Sequence, residues 1–147
     1  MPLPVLRHLG ASVLLALPLC AVAAPAPADD RLYQQLGAQP GVAALVDDFV
    51  QRLLADTRMK PFFADADLPQ LRKGLAAQFC QVAGGPCVYD GPDMKKAHSG
   101  LDIDRAAFNA LVEVLQQTLD ARGLPFTVQN RLLATLAPLH REIVNVP

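Results

Sequence analysis

The chain lacks an excess of positive charge: 13 Lys and Arg stand against 14 Asp and Glu among 147 residues, for a formal net charge of -1. Phosphate recognition needs Lys and Arg clustered on one face, so no nucleic-acid partner is expected. Gly/Ser tracts and acidic low-complexity tracts are missing, and 52% of the residues are hydrophobic. That much apolar surface can offset chain entropy, which excludes intrinsic disorder. No segment alternates apolar and polar residues long enough for a sheet, and no internal repeat occurs. His-Glu-x-x-His, a serine nucleophile elbow, a P-loop and Gly-x-Gly-x-x-Gly are all absent, so hydrolase and nucleotide-dependent readings have no support. With three histidines, three cysteines and 5% aromatic residues, there is little acid-base machinery to assemble. The length suits one domain.

Residues 1–23 read as a secretory signal: Arg7 and His8 give a short polar start, Leu9 to Leu19 is apolar, and Ala21-Val22-Ala23 offers a small-residue cleavage site. A membrane anchor is the alternative, but Pro18 interrupts the run, which is well short of the roughly 20 residues that cross a bilayer. Cys20 would suit a lipoprotein, yet Leu19 stands before it where such signals carry a small residue. Residues 24–28, Ala-Pro-Ala-Pro-Ala, form an extended spacer because Pro fixes its own φ and restrains the residue before it. The folded domain is expected over residues 29–147, in a periplasmic or secreted location and without membrane insertion.

That domain is expected to be all-α. Gly37-Ala38-Gln39-Pro40-Gly41 is a break, after which Val42, Leu45, Val46, Phe49, Val50, Leu53 and Leu54 recur at helical spacing. Asp67 and Pro69 mark the start of a second helix, with Leu68, Leu71, Leu75 and Phe79 on its buried face and Gly84-Gly85-Pro86 at its end. Asp104 caps a third helix striped by Phe108, Leu111, Val112, Leu115 and Leu119 and closed by Gly123 and Pro125. A last helix is expected from about Thr127, with Val128, Leu132, Leu136, Leu139 and Ile143 on one face. Cys87 to Ile103 is the least regular stretch, and it contains His98. A poorly helical segment inside a helical domain commonly carries function.

Several segments in fixed order carry a family resemblance: Leu32-Tyr33-Gln34-Gln35-Leu36-Gly37, Asp48-Phe49, Leu54-Ala55-Asp56, Pro61-Phe62-Phe63, Gly84-Gly85-Pro86, Tyr89-Asp90-Gly91, and Met94-Lys95-Lys96-Ala97-His98-Ser99-Gly100-Leu101. The chain resembles the truncated haemoglobins, most like group I, over nearly everything from Asp30 to Val144. The resemblance implies a globin-like two-over-two helical sandwich around haem b, with His98 as the proximal iron ligand and Phe63 packed on the porphyrin. A lone histidine is otherwise more often a surface or satisfied core residue, and His140 keeps that reading. Phe79, Val50, Leu71, Leu75, Met94 and Tyr89 complete the expected haem contacts. Lys95, Lys96, Arg72 and Lys73 are candidates to pair with haem propionates, with a plain solvated face as the alternative. The haem is expected to be noncovalent, because Cys-x-x-Cys-His is missing.

One departure from the family pattern bears on ligand choice. Val50 stands where many relatives carry a distal tyrosine, and Leu71 and Leu75 occupy the facing distal positions, the second often glutamine. O2 held by iron carries partial negative charge on its outer atom, which a donor stabilises by roughly 1.5–3 kcal/mol. Its loss speeds release about ten-fold or more. NO and CO suffer less, so the expected pocket favours them, with Gln78, one turn past Leu75, as the side chain that could swing in. Cys80 and Cys87 either form a disulfide, which an exported location permits, or remain two buried thiols. A zinc site is not expected. The leading function is reversible binding of O2, NO or CO by a protein that is more a gas binder than an enzyme, served by an unknown reductase. The alternatives are a haem-dependent NO dioxygenase or peroxidase, and a periplasmic haem carrier or haem-free helical binding domain.

Overall fold

The computed structural model describes residues 29–147, so the signal and spacer assigned to residues 1–28 lie outside the described residues. The described chain is helical, in the order α1 (Arg31–Gln35), α2 (Ala38–Ala55), a 3-10 turn (Lys60–Phe63), α3 (Leu68–Val82), α4 (Met94–Ala97), α5 (Arg105–Ala121), α6 (Phe126–Leu136), a second 3-10 turn (Ala137–Leu139) and α7 (His140–Ile143). No strand occurs among the described residues. None of these helices is long and apolar enough to cross a membrane.

α2 is the centre of the fold, packing against both α3 and α5. Val42, Leu45, Val46, Phe49, Val50 and Leu53 are buried along it. Each such side chain contributes about 1.5–3 kcal/mol by leaving water, so their sum outweighs the roughly 1 kcal/mol that Gly41 costs a helix. The helix consequently starts at Ala38, four residues before the expected Val42, and takes in Pro40 and Gly41. Proline is tolerated there because a first-turn N–H has no intrahelical partner to lose. Gly41 is required for a different reason: a Cβ at this position would collide with the carbonyl oxygen of Leu36. The chain break lies at Gly37 and Ala38, both in the left-handed region, at φ 91 and φ 53.

Aspartates start the three helices that follow. Asp67 accepts from Gln70 N–H at 3.1 Å, Asp93 from Lys96 N–H at 2.7 Å and Asp104 from Ala107 N–H at 2.7 Å. Each cap contributes about 1 kcal/mol. α5 uses two faces: Ala110, Val114, Thr118 and Leu119 are buried in the core, whereas Phe108, Leu111 and Val112 stay half-exposed beside a large cavity. The single last helix expected from the sequence is instead divided. Pro138 lies where α6 gives way to the 3-10 turn, because proline cannot donate to the preceding turn and its ring crowds that turn's carbonyl.

Outside the core, Arg58 joins the turn after α2 to α5, bonding Asp56 at 2.8 Å and Glu113 at 2.6 Å. The Arg58 side chain and backbone N–H lower the Asp56 pKa to about 2, against an ordinary 3.8. A depressed carboxylate pKa adds stability above the unfolded value, and that stability is lost as pH falls through the folded value. Chemical-denaturation midpoints should therefore decline between about pH 4 and pH 2, and Asp56→Asn should show a shallower decline over the same window. An identical slope in the two proteins would contradict this account.

Candidate functional site

His98 follows α4 directly, and its ring Nδ1 lies 2.7 Å from the Met94 carbonyl oxygen. A carbonyl only accepts, so Nδ1 carries the proton and donates it. In the neutral ring the lone pair is then on Nε2, the form in which imidazole binds a metal.

The ring borders a cavity of about 980 Å³, at the upper end of the usual range for small-molecule and cofactor sites. α3 supplies Leu71, Leu75, Gln78 and Phe79; the 3-10 turn supplies Phe62 and Phe63; α5 supplies Phe108, Leu111 and Leu115. Phe62, Phe63, Leu71, Leu75 and Leu111 are only partly buried although they pack on the core. Half-covered apolar side chains around one slot mean that an apolar occupant would remove further hydrocarbon from water. Phe79 is fixed by stacking on Phe49, centroids 6.2 Å apart. Among the described residues no group of three or more His, Cys, Asp or Glu converges as a bare-ion site. A smaller and more open hollow of about 420 Å³, bordered by Leu32, Val82, Arg131 and Thr135, holds no histidine.

One lip of the cavity is strapped to α3. A disulfide joins Cys80 to Cys87, with their Cα atoms 5.8 Å apart. Tyr89 N–H donates to Gln81 Oε1 at 2.5 Å, and Tyr89 OH donates to the Pro92 carbonyl at 2.8 Å. Burial, reinforced by the carboxylates of Asp90 and Asp93, raises the Tyr89 phenol above its ordinary pKa.

Of the site residues expected from the sequence, the structure gathers Phe63, Phe79, Leu71, Leu75, Met94, Tyr89 and His98 around the one cavity. Four others, Val50, Arg72, Lys95 and Lys96, do not reach it. Val50 is wholly buried within the core around α2, and its neighbour Phe49 takes the place at the cavity wall. Successive helical residues point about 100° apart, and here the packing turns Phe49 rather than Val50 toward the slot. Lys95 and Lys96 are exposed on α4, whose inward positions go to Met94, Ala97 and His98. Arg72 pairs with Asp47 at 3.2 Å, whereas Lys73 lines the cavity edge. His140, read as an ordinary helix residue, also lines the cavity and meets Phe108 edge-on at 4.8 Å. Gln78 lies at the wall with its Nε2 3.2 Å from Met94 Sδ. Sequence periodicity marked the helix faces for these residues but not which face would border a hollow.

A helical sandwich with one tautomer-fixed histidine beside an apolar slot defines a globin. Residues 31–145 match the model of the bacterial-like globin family, and the chain belongs to that family as a group I truncated globin. It is similar to Group 1 truncated hemoglobin GlbN of a Synechocystis species, 36% identical over 120 residues, which cover 78% of this chain and 97% of the relative. It is also similar to Group 1 truncated hemoglobin GlbN of Nostoc commune, 33% identical over 93 residues, covering 63% of this chain and 79% of the relative. Among solved structures it superposes on the Fe(III) form of truncated hemoglobin from Tetrahymena pyriformis with a TM-score of 0.75, at 29% identity and covering 78% and 97% of the two chains. The cofactor of this globin is haem b. The residues present fit it: His98 offers a bare Nε2, the slot is aromatic and aliphatic, and Lys73 and Gln70 stand at its edge for anionic groups.

The Cys80–Cys87 link closes a short loop, so the chain-entropy model gives it about 2–3 kcal/mol. Cys80→Ser with Cys87→Ser should lower unfolding free energy by that amount, read from urea titrations of oxidised protein. Equal stability of the variant and its parent would sink the estimate.

Proposed function

We propose that this protein is a haem-binding globin that takes O2, NO or CO reversibly at an iron ligated by His98, and that its distal wall is largely apolar. The observation that carries the reading is the His98 ring, held at Nδ1 by Met94 O at 2.7 Å while it borders the cavity. Bound haem would supply the iron at which a diatomic gas is taken up. The chain's own residues do the rest. Met94 O fixes the tautomer and raises the basicity of Nε2. Phe62, Phe63, Phe79, Leu71 and Leu75 exclude water and hold the macrocycle by contact without a covalent bond. Lys73 is the cation best placed for a propionate, in preference to Lys95 or Lys96.

On the α3 side Leu71 and Leu75 line the cavity, and the Gln78 amide is engaged with Met94 Sδ at 3.2 Å. A gas bound here meets hydrocarbon rather than a donor, which favours NO and CO over lasting retention of O2. That argues against NO dioxygenation as the main activity, because the reaction needs O2 held long enough to meet NO. The disulfide and the N-terminal address both support a periplasmic or secreted location, where an external reductase would have to keep the iron ferrous.

Hemin titration of the segment from Ala24 should give a one-to-one complex with histidine-type ferric, ferrous and CO spectra, and His98→Ala should lose or alter those bands. A His98→Ala protein with the wild-type spectra would show that another group holds the iron. Leu75→Gln, which places an amide on the distal wall, should slow O2 release about ten-fold in stopped-flow measurements. An unchanged rate would mean that the wild type already supplies a donor.

A further inference from the structure

We infer that Asn145, in the C-terminal tail, is the positioning residue that fixes the His98 backbone and through it the aim of the imidazole. The inference rests on His98 as the iron ligand. α4 has four residues, a length that does not persist as helix unaided, so His98 needs anchors from elsewhere in the chain. The N-terminal side is held locally: Met94 O accepts both from the His98 ring at 2.7 Å and from His98 N–H at 3.1 Å. The C-terminal side runs into a loop with two left-handed residues, Gly100 at φ 77 and Asp102 at φ 50. Non-glycine residues are uncommon in that region, although aspartate enters it more readily than most, and a loop with two such residues gains from a partner that holds it.

Asn145 supplies that hold. Its Nδ2 donates to the His98 carbonyl at 2.7 Å, and its Oδ1 accepts from Ile103 N–H at 2.8 Å. Its own backbone N–H donates to the Ile103 carbonyl at 2.9 Å, and Val146 N–H donates to the same oxygen at 3.3 Å. One carboxamide thus bridges the two ends of the loop, which requires a group that both donates and accepts. The helix immediately before it, α7, carries His140 and Ile143 at the cavity wall. Asn145 therefore ties the wall made by the chain's last helix to the segment that presents the iron ligand.

Asn145→Ala and Asn145→Asp, in the haem-loaded protein, separate this role from simple stapling. Aspartate still accepts from Ile103 N–H but cannot donate to the His98 carbonyl. Both variants should shift and broaden the iron–histidine stretching band of the ferrous protein in resonance Raman spectra and release haem to an acceptor several-fold faster. The Asp variant should retain more thermal stability than Ala. A wild-type stretching band in either variant would overturn the inference, because the carbonyl bond would then not govern the ring. If the variants retain too little haem for a spectrum, the wild-type ferrous CO complex decides by NMR. It should show a through-hydrogen-bond coupling between Asn145 Nδ2 and the His98 carbonyl carbon, and its absence would equally overturn the inference. Failure of the underlying reading looks different: His98→Ala would then leave the haem spectra intact whatever Asn145 does.

Discussion

The 2.7 Å hydrogen bond between His98 Nδ1 and the Met94 carbonyl decides which imidazole nitrogen keeps its lone pair. Without it the two tautomers of a half-buried histidine compete, and the ring can rotate about χ1 and χ2. With it, Nε2 is the free nitrogen of a ring at the edge of an apolar slot. The rest of the structure arranges the two partners of this bond: the Asp93 cap starts the single turn of α4, and Met94 is buried at the cavity. A one-turn helix is an economical way to set a carbonyl four residues before a ring, but it carries little stability of its own.

The molecule divides its apolar side chains between two duties. Those along the inward face of α2, with Val114, Leu119 and Leu132, are almost completely buried and form the core. Those around the slot, including Leu71, Leu75, Phe62, Phe63 and Leu111, pack on that core yet stay partly open. An occupant of the slot gains the transfer energy that the polypeptide alone leaves unclaimed, so cofactor binding and stability are coupled. The strap held by the Cys80–Cys87 link bounds one side of the same slot, which makes the lip depend on a covalent connection rather than on burial.

The helices were legible in the sequence wherever periodicity and caps agreed. Asp67 and Asp104 cap as their positions suggested, and glycine closes α3 and α5. The misjudged boundaries have local reasons: Pro40 and Gly41 are compatible with a first turn, and Pro138 breaks a run whose apolar spacing continues through it. Within the site, the segment around His98 was legible because its composition is irregular and its motif is specific. Val50 and Phe49 could not be told apart as cavity residues, since both lie on the apolar stripe and only the packing of α3 and α5 decides which one meets the hollow. His140 and Asn145 lie more than 40 residues beyond His98, and nothing local to either marks its partner. Their relevance is a product of tertiary closure. Lys95 and Lys96 are near His98 in sequence, but they are exposed on α4 and do not line the cavity, a distinction that only the folded chain makes.

The central claim is that His98 presents a bare Nε2 to the cavity because Met94 fixes the proton on Nδ1. Histidine-selective 15N labelling of the ferrous CO complex reads this directly, with His140 as the internal comparison. The account predicts that His98 shows a slowly exchanging proton on Nδ1 and none on Nε2, whereas His140 behaves as a ring without an iron bond. A proton on His98 Nε2, or the iron-bound signature on His140 instead, would contradict it.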